Sequence, residues 1–228
     1  MSAAIPAALR HPLLAEAGVL HGFGVRGSVI PEGILRPQQV HGAAVARIEA
    51  GDGQGLTPAE ADAVVSRTAG IPVAVATADC VPILACSEDG YAVAAIHAGW
   101  RGLAQGVIEA GIEALGGLSG PGMRLRAVVG PHIGICCYEV DEPVLSALGS
   151  RFARDLETAS RPSRAGHAYL DLGRLAAAAL GRAGVEAGAR GVIPDSCTRC
   201  GVERFHSYRR DGEAAGRMVH FVGALARP

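Results

Sequence analysis

The amino-acid sequence predicts an α+β fold in which mixed β-sheets, either one sheet or two stacked sheets, are flanked by helices. About ten short, apolar, strand-like segments are distributed over the 228 residues. Three helical segments interleave with them without a strict β-α-β rhythm, which argues against an all-parallel sheet. The hydrophobic fraction of 49% is typical of one globular domain, spanning residues 1–228, that buries about 70% of its unfolded surface. We therefore expect a single domain with one large core.

The strand-like segments are short runs rich in Val, Ile and Ala, bounded by Gly, Pro or Asp. They fall at residues 19–25, 39–48, 63–66, 73–78, 83–85, 91–97, 125–129, 168–172, 192–194 and 217–222. The turn-rich stretch at 47–62 reads as a surface loop. These boundaries predict strands too short for anything but a compact multi-stranded fold.

Helical periodicity first appears after residue 100, where five apolar residues share one helix face: Leu103, Val107, Ile108, Ile112 and Leu115. The segment 141–156 begins with acidic residues and Pro143, as the first turn of a helix often does. The segment 172–184 has the same period and ends at Gly184. Three helices are therefore predicted.

The composition excludes several classes of function. A net charge of -1 offers no basic surface for nucleic acid or for an anionic membrane. Arg10, Pro12 and Glu16 interrupt the mildly apolar N-terminal stretch, and no apolar run is long enough to span a bilayer, so we expect a cytoplasmic protein. Its six cysteines should then be thiols or metal ligands. All 21 basic residues are Arg and the chain contains no Asn, which excludes Schiff-base, P-loop and Cys-His-Asn chemistry.

One strand-like segment ends in polar and aromatic residues that a purely buried strand would not need. In "AAIHAGWRGLAQG" (94–106), the apolar run ends at His97 and is followed by Trp100, the single Trp of the chain, and by Arg101. The residues after His97 predict a loop entering a helix. Such a loop suits an anion, because N-terminal amides and a guanidinium point into the same space.

Two other residues interrupt strand-like segments in a similar way. His41 lies in "QQVHG" (38–42), and Cys80 follows Asp79 in "TADCVPILAC" (77–86) at a break between two apolar runs. If these segments and that of His97 are neighbours in one sheet, the three side chains converge. Two imidazoles and a thiolate form a zinc-binding set that leaves a fourth position for water, whose pKa falls to about 7 on zinc. From residue types alone, a zinc centre and scattered core roles both remain open.

Five motifs occur in an order that resembles the YfiH-type family, also described as the laccase-domain, multicopper polyphenol oxidase or purine nucleoside phosphorylase family. They are "QQVHGA", "ADCVPIL", "IHAGWRG", "GPHIGICCYEV" and "FHSYRRDG…AGRM", and they cover residues 20 to 222. The resemblance implies stacked sheets in α/β/β/α layers. It also implies that His41, Cys80 and His97 bind zinc.

The resemblance further implies an enzyme that cleaves adenosine, inosine, guanosine or methylthioadenosine with phosphate and that deaminates adenosine. A purine nucleoside and phosphate would be its small-molecule partners, with no nucleic acid or membrane. We predict that Asp79 acts with Cys80 in catalysis by orienting the metal site. We also predict that Arg101, Arg209 and Gln39 contact the substrate.

Three alternatives remain at this stage. Copper binds the same ligand types more tightly than zinc, but a polyphenol oxidase of the multicopper kind uses H-x-H pairs, and the eight histidines form none. A cysteine hydrolase with Cys80 as nucleophile and His97 as base is the second alternative. Family links to peptidoglycan precursor editing suggest amide chemistry for it. A non-enzymatic metal-binding protein is the third.

The remaining cysteines and His132 receive simpler interpretations. "CTRC" (197–200) is half of a zinc-ribbon pattern without a second half, so a reduced surface thiol pair is favoured over a metal site with His206. On an extended strand, Cys136 and Cys137 would point to opposite faces. His132 departs from the usual family pattern, and we favour a solvent-facing side chain over a pocket acid–base group.

Overall fold

The structure, a computed structural model, describes residues 7–49 and 59–227. Most of the turn-rich stretch predicted as a surface loop, residues 50–58, lies outside this part of the chain. The strands are β1 Leu20–Gly22, β2 Val45–Ile48, β3 Ala63–Ser66, β4 Val73–Thr77, β5 Val81–Ser87, β6 Val93–Ala98, β7 Leu125–Val129, β8 Glu139–Asp141, β9 Ser160–Pro162, β10 His167–Leu170, β11 Arg190–Val192 and β12 Met218–Gly223. Every predicted strand overlaps one of these, and only the short β8 and β9 were not predicted.

The three predicted helical segments are helical, with one correction, and two short helices, one near each end of the described chain, were not predicted. They are α1 Pro12–Glu16, α2 Trp100–Gln105, α3 Val107–Ser119, α4 Glu142–Ala159, α5 Leu172–Arg182 and α6 Tyr208–Asp211. Single 3-10 turns occur at Ala187–Ala189 and Gly212–Ala214. The predicted helix after residue 100 is two helices, because Gly106 adopts a left-handed φ of 87° between α2 and α3. Within these ranges, no helix has the length and apolar character needed to cross a membrane.

A six-stranded mixed sheet forms the centre of the fold, with strand order β11-β7-β5-β6-β3-β2. The pairs β11/β7 and β2/β3 are parallel and the others are antiparallel. Every residue of β3, β5 and β6 is buried. Burial on both sides explains why these strands have apolar runs rather than alternating patterns.

Each face of this sheet carries its own hydrophobic core. On one face, α3 and α5 contact the sheet and α4 packs on α5, around large buried side chains that include Ile108, Leu148 and Leu175. On the other face, a three-stranded antiparallel sheet of order β1-β12-β4 packs with α1 around Phe23, Leu84 and Val222. The prediction of stacked mixed sheets flanked by helices is confirmed.

The central hairpin β5–β6 brings two of the candidate site residues to one end of the sheet. Val81 pairs with Ala98 and Pro82 with His97, so the residue before β5 lies beside the end of β6. At the other end, the strands are connected through Gly90, which has a left-handed φ of 75°. Cys80 and His97 are therefore neighbours because of the strand register.

Candidate metal centre and cavity

His41, Cys80 and His97 lie together at the end of the β5–β6 hairpin. One ligand atom of each residue lies within 4.8 Å of the other two. The two imidazole rings meet edge to face, with centroids 4.9 Å apart and an interplanar angle of 83°. His97 is buried, Cys80 is partly buried and His41 is exposed. The set suspected from the sequence thus comes together in space.

His41 reaches this cluster from a loop and not from a strand, so the strand predicted at 39–48 is wrong over its first part. The strand begins only at Val45, and His41 has a left-handed φ of 61°. Non-Gly residues in this region are uncommon and need support from their surroundings. Asp62 provides it, because its carboxylate accepts hydrogen bonds from the backbone amides of Val40, His41 and Gly42 at 2.6–3.2 Å.

Asp62 also holds His97, and the sequence analysis missed it. The Nδ1 atom of His97 lies 2.7 Å from Oδ1 of the fully buried Asp62. Burial alone would lower the pKa of His97, but the bonds to Asp62 and Cys80 outweigh it and raise that pKa to about 9. An acidic residue immediately before the apolar run of β3 was the available signal. Ala63 pairs with Ile96, and this register places Asp62 opposite His97.

The thiol of Cys80 ionises more readily than an ordinary cysteine. Burial disfavours the thiolate, but hydrogen bonds to His41 and His97 outweigh that effect and lower the pKa of Cys80 to about 7. A thiolate is the form that binds metals and attacks electrophiles. The site can therefore serve either as a metal centre or as a nucleophile.

Gly99 leaves the space that the cluster occupies. A Cβ atom at Gly99 would lie 3.1 Å from Sγ of Cys80 and 3.3 Å from Cδ2 of His41. Its φ of -77° is ordinary, so the absence of a side chain matters here and not an unusual backbone conformation. The glycine following His97 in the sequence is thus explained by close approach to two candidate ligands.

The cluster lies in the wall of a cavity of about 540 Å³. Three aromatic residues, Trp100, Tyr138 and Tyr208, also line this cavity. Burial, and then the charge of Cys80, raises the pKa of Tyr138, so its hydroxyl group stays protonated. A cavity of this size, with aromatic walls and converging polar side chains, is typical of a small-molecule site.

The three predicted substrate contacts all line the same cavity. Arg101 is in the first turn of α2 and not in a preceding loop, and its guanidinium lies 4.4 Å from the ring centroid of Trp100. Arg209 donates to the backbone oxygen of Glu139 at 2.7 Å and lies 5.0 Å from the ring centroid of Tyr138. The amide group of Gln39 is bonded on both sides to the backbone of Ala76, at 2.7 and 2.8 Å.

Asp79 lines the cavity as well, but the structure connects it to a different part of the chain. One carboxylate oxygen accepts from the hydroxyl of Thr198 at 2.6 Å. The other accepts from the hydroxyl of Ser207 and from the backbone amide of Arg209, at 3.1 and 2.6 Å. Asp79 therefore ties the segment before β5 to the chain around residues 198–209, whereas Asp62 is the carboxylate that contacts a candidate ligand.

The structure changes the interpretation of the other cysteines. Cys136 and Cys137 lie in a turn, where the amide of Cys137 donates to the oxygen of Gly134 at 2.9 Å, so both thiols can face the "CTRC" segment. The thiols of Cys136, Cys137, Cys197 and Cys200 all lie within 4.8 Å of one another. Two further cysteines, about 60 residues earlier in the chain, therefore lie beside the "CTRC" pair, and His206 does not belong to this cluster.

His132 does not face solvent, and that expectation is wrong. The side chain is buried, and Nδ1 lies 2.8 Å from the oxygen of Gly130. The ring lies against α5, where a Cβ atom on Gly173 would come within 2.4 Å of Nε2. Burial lowers the pKa of His132, and its side chain lines a second cavity away from the His41–Cys80–His97 cluster.

A family model, related sequences and a solved structure all resemble this chain over most of its length. Residues 25–225 match the family model described as multi-copper polyphenol oxidoreductase laccase. Purine nucleoside phosphorylase YfiH of Shigella flexneri is 39% identical over 186 residues, which cover 81% of this chain and 71% of that protein. Adenosine deaminase RL5, from an unknown prokaryotic organism, is 34% identical over 190 residues, 81% of this chain and 72% of that protein. The crystal structure of YlmD from Geobacillus stearothermophilus superposes with a TM-score of 0.82 at 25% identity, covering 99% of this chain and 98% of that one.

Proposed function

Because the chain belongs to the YfiH-type family, whose model is described as multi-copper polyphenol oxidoreductase laccase, we propose that it is a zinc-dependent enzyme of purine nucleosides. In phosphorolysis, an oxygen of phosphate bonds to C1 of the ribose while the bond from C1 to the base breaks. The products are the free base and ribose 1-phosphate. Adenosine, inosine, guanosine and methylthioadenosine are the proposed substrates, with hydrolysis of adenosine to inosine and ammonia as a second activity. The names of two relatives, purine nucleoside phosphorylase and adenosine deaminase, support these reactions.

The observation that carries this proposal is the three-residue cluster in the cavity wall. Two imidazoles and a thiolate are ligands that zinc prefers, and three protein ligands leave one position open, as in catalytic zinc sites. A second observation, the hydrogen bond behind His97, also fits zinc. Nδ1 of His97 is bonded to Asp62, which is the arrangement that orients a metal-binding histidine and leaves its other nitrogen available.

The chain's own groups can bind and orient a nucleoside in this cavity. Zinc, when bound, would supply a Lewis acid that polarises a substrate atom or lowers the pKa of a water molecule. Trp100, Tyr138 and Tyr208 offer aromatic faces for the purine. The protonated hydroxyl of Tyr138 is a hydrogen-bond donor for a base nitrogen that becomes more basic as the bond to ribose breaks.

Arg101 and Arg209 are the proposed contacts of phosphate. Their guanidinium groups lie over Trp100 and Tyr138, so both charges sit beside the aromatic walls. Arg209 uses one donor on the oxygen of Glu139, which fixes its position while its other N–H groups remain for an anion. Gln39 is held by Ala76 and would offer its remaining N–H and lone pair to a ribose hydroxyl.

The test is chromatography of adenosine incubated with the zinc-loaded chain, with and without phosphate. We expect adenine that requires phosphate, and inosine that does not. Cys80→Ala should lower both by about 10³-fold, because several kcal/mol of transition-state stabilisation is lost. Cys86→Ala is the matched control, because Cys86 lies in β5, outside the His41–Cys80–His97 cluster and apart from the four cysteines that lie together. A zinc-loaded chain that forms neither product would contradict the proposal.

A cysteine hydrolase acting on peptidoglycan precursors is the second candidate, and one observation favours it. The pKa of Cys80 is lowered to about 7, and Cys80, His97 and Asp62 are linked in the order of a nucleophile, a base and an orienting carboxylate. A zinc-bound thiolate is a poor nucleophile, so this enzyme would gain amide hydrolysis when zinc is removed. The zinc enzyme would lose its activity instead. Phenol oxidation by the copper-loaded chain would identify the polyphenol oxidase that the family description suggests.

We also propose a cytoplasmic location, a purine nucleoside and phosphate as small-molecule partners, and no nucleic acid or membrane partner. All six cysteines are free, and the thiols of Cys137 and Cys200 share a hydrogen bond of 3.3 Å rather than a disulfide bond, which fits a reducing compartment. The net charge of -1 gives no reason to expect nucleic acid or membrane lipid as a partner.

A further inference from the structure

We propose that Cys136, Cys137, Cys197 and Cys200 form a second metal site, a closed four-thiolate zinc site that joins two loops beside the cavity. This proposal is independent of the reaction proposed above. Zinc would bind with release of the four thiol protons and with no change of oxidation state.

The sulfur positions match the ligand geometry of zinc. Sγ of Cys136 lies 3.5 Å from that of Cys197 and 3.7 Å from that of Cys200, and Sγ of Cys137 lies 3.3 Å from that of Cys200. All four sulfurs are within 4.8 Å of one another. A tetrahedral site with Zn–S bonds of about 2.3 Å has sulfur–sulfur edges of about 3.8 Å. The four thiols therefore need only small movements to surround one ion.

The backbone around the cluster stabilises sulfur as an acceptor. The amide of Gly134 donates to Sγ of Cys197 at 3.3 Å. A Cβ atom on Gly134 would lie 3.3 Å from both Sγ of Cys136 and Cβ of Cys197, so the glycine permits the close approach of the two loops. Arg199 donates to Sγ of Cys137 at 3.6 Å, which places a positive charge beside a site that would carry a charge of -2.

The site would fix residues that reach the cavity. Tyr138 follows Cys137 directly and lines the cavity. Thr198, between the two cysteines of "CTRC", donates to Asp79 at 2.6 Å. Arg210 donates to the backbone oxygens of Thr198 and Arg199 at 3.0 and 3.1 Å. The metal would therefore connect the turn at 134–137 to the loop at 197–200 and so stabilise one wall of the cavity.

Zinc counting by native mass spectrometry tests the proposal on the full chain. The wild-type protein should bind two zinc ions per chain. The double variant Cys136→Ala/Cys200→Ala should bind one, as should Cys80→Ala, whereas Cys86→Ala should keep both. Cys136 and Cys200 are exposed, so their replacement removes two ligands without emptying a packed core.

Thiol reactivity of the wild-type chain gives a second readout that needs no variant. Exposed free thiols react with a disulfide reagent at once, whereas we expect Cys136 and Cys200 to react only after a chelator is added. Two outcomes would overturn the proposal. One is a wild-type chain with a single zinc ion that is lost in Cys80→Ala. The other is a two-zinc count that the double variant leaves unchanged.

Discussion

The described part of the chain contains two clusters of candidate metal ligands, which differ in how the fold builds them. His41, Cys80 and His97 meet at the end of buried strands, with a carboxylate behind and a cavity in front. The four cysteines meet between two surface turns, and two of their side chains are exposed. The first set offers three ligands of two kinds, and the second offers four of one kind.

This difference suits the first cluster to a catalytic metal site and the second to a structural one. Three ligands leave an open position for a substrate or water, whereas four thiolates fill the coordination sphere of zinc. The surroundings agree with that division. Burial and neighbouring thiols raise the pKa of Cys136, whereas two imidazoles lower that of Cys80 to about 7 against its burial. In the first cluster, the imidazoles thus adjust the thiol of Cys80 for reaction near neutral pH. In the second cluster, burial disfavours ionisation of Cys197, but the hydrogen bond from the amide of Gly134 outweighs it and lowers the pKa of that thiol as well.

Asp62→Asn tests the feature that the first cluster has and the second lacks. The variant keeps the shape of the side chain but weakens the bond that orients His97. We expect zinc to bind the first cluster 10- to 100-fold more weakly, roughly the effect of losing a partner of a metal ligand, with a matching loss of activity. Competition with a chelator measures the affinity, and the four-cysteine cluster of the same molecule serves as an internal control. Equal weakening at both clusters would indicate unfolding and not a local effect.

Asp79→Asn examines the connection between the two regions. Asp79 precedes Cys80 and accepts three hydrogen bonds from the chain at 198–209. An amide there would turn an acceptor into a donor and leave a buried group unpaired, at a cost of about 1–3 kcal/mol. Because Asn tolerates the left-handed φ of 96° as well as Asp does, the change isolates the lost acceptor.

We expect Asp79→Asn to lower Tm by roughly 5 °C, measured by calorimetry, and to leave two zinc ions bound. Asp155→Asn is the control, because that carboxylate forms an ion pair with Arg182 at the surface. Loss of zinc from the first cluster in Asp79→Asn would instead mean that Asp79 supports the metal site directly.

A last comparison concerns two buried histidines, one beside a carboxylate and one without. His97 has a pKa raised to about 9, against its burial, by Asp62 and Cys80. Burial lowers the pKa of His220, bonded to Thr77, to about 3. Between pH 6.5 and 3 the unfolded chain therefore takes up a proton at residue 220 that the folded chain does not. His220 reduces the free energy of unfolding by up to about 1.4 kcal/mol per pH unit as the pH falls in this window, and not above it.

His220→Gln, which keeps a polar partner for Thr77, should flatten this acid slope. Urea unfolding of both proteins between pH 4 and 7, with chelator present, measures it. The slope difference is the relevant quantity, because other buried histidines such as His21 contribute equally in both proteins. Identical slopes would show that His220 does not carry the effect.

The sequence predicted those features of the fold and of the first cluster that depend on apolar patterns and on the five family motifs. A strand lies in each of the ten strand-like segments, α4 and α5 were predicted, and the family resemblance implied the convergence of His41, Cys80 and His97. Asp62 was missed because its role depends on the pairing of β3 with β6, which no local pattern specifies. The four-cysteine cluster was missed because Cys136 and Cys137 were placed on a strand, where the alternation of side chains separates them.

Anomalous diffraction at the zinc absorption edge, from crystals of the zinc-loaded chain, tests the central claim most directly. We predict two peaks. One should lie among His41, Cys80 and His97, with a fourth position open toward the cavity, and the other should be enclosed by four sulfur atoms. Crystals of zinc-loaded, active protein with no peak between His41, Cys80 and His97 would contradict the account, because its chemistry would then have to begin from the Cys80 thiolate alone.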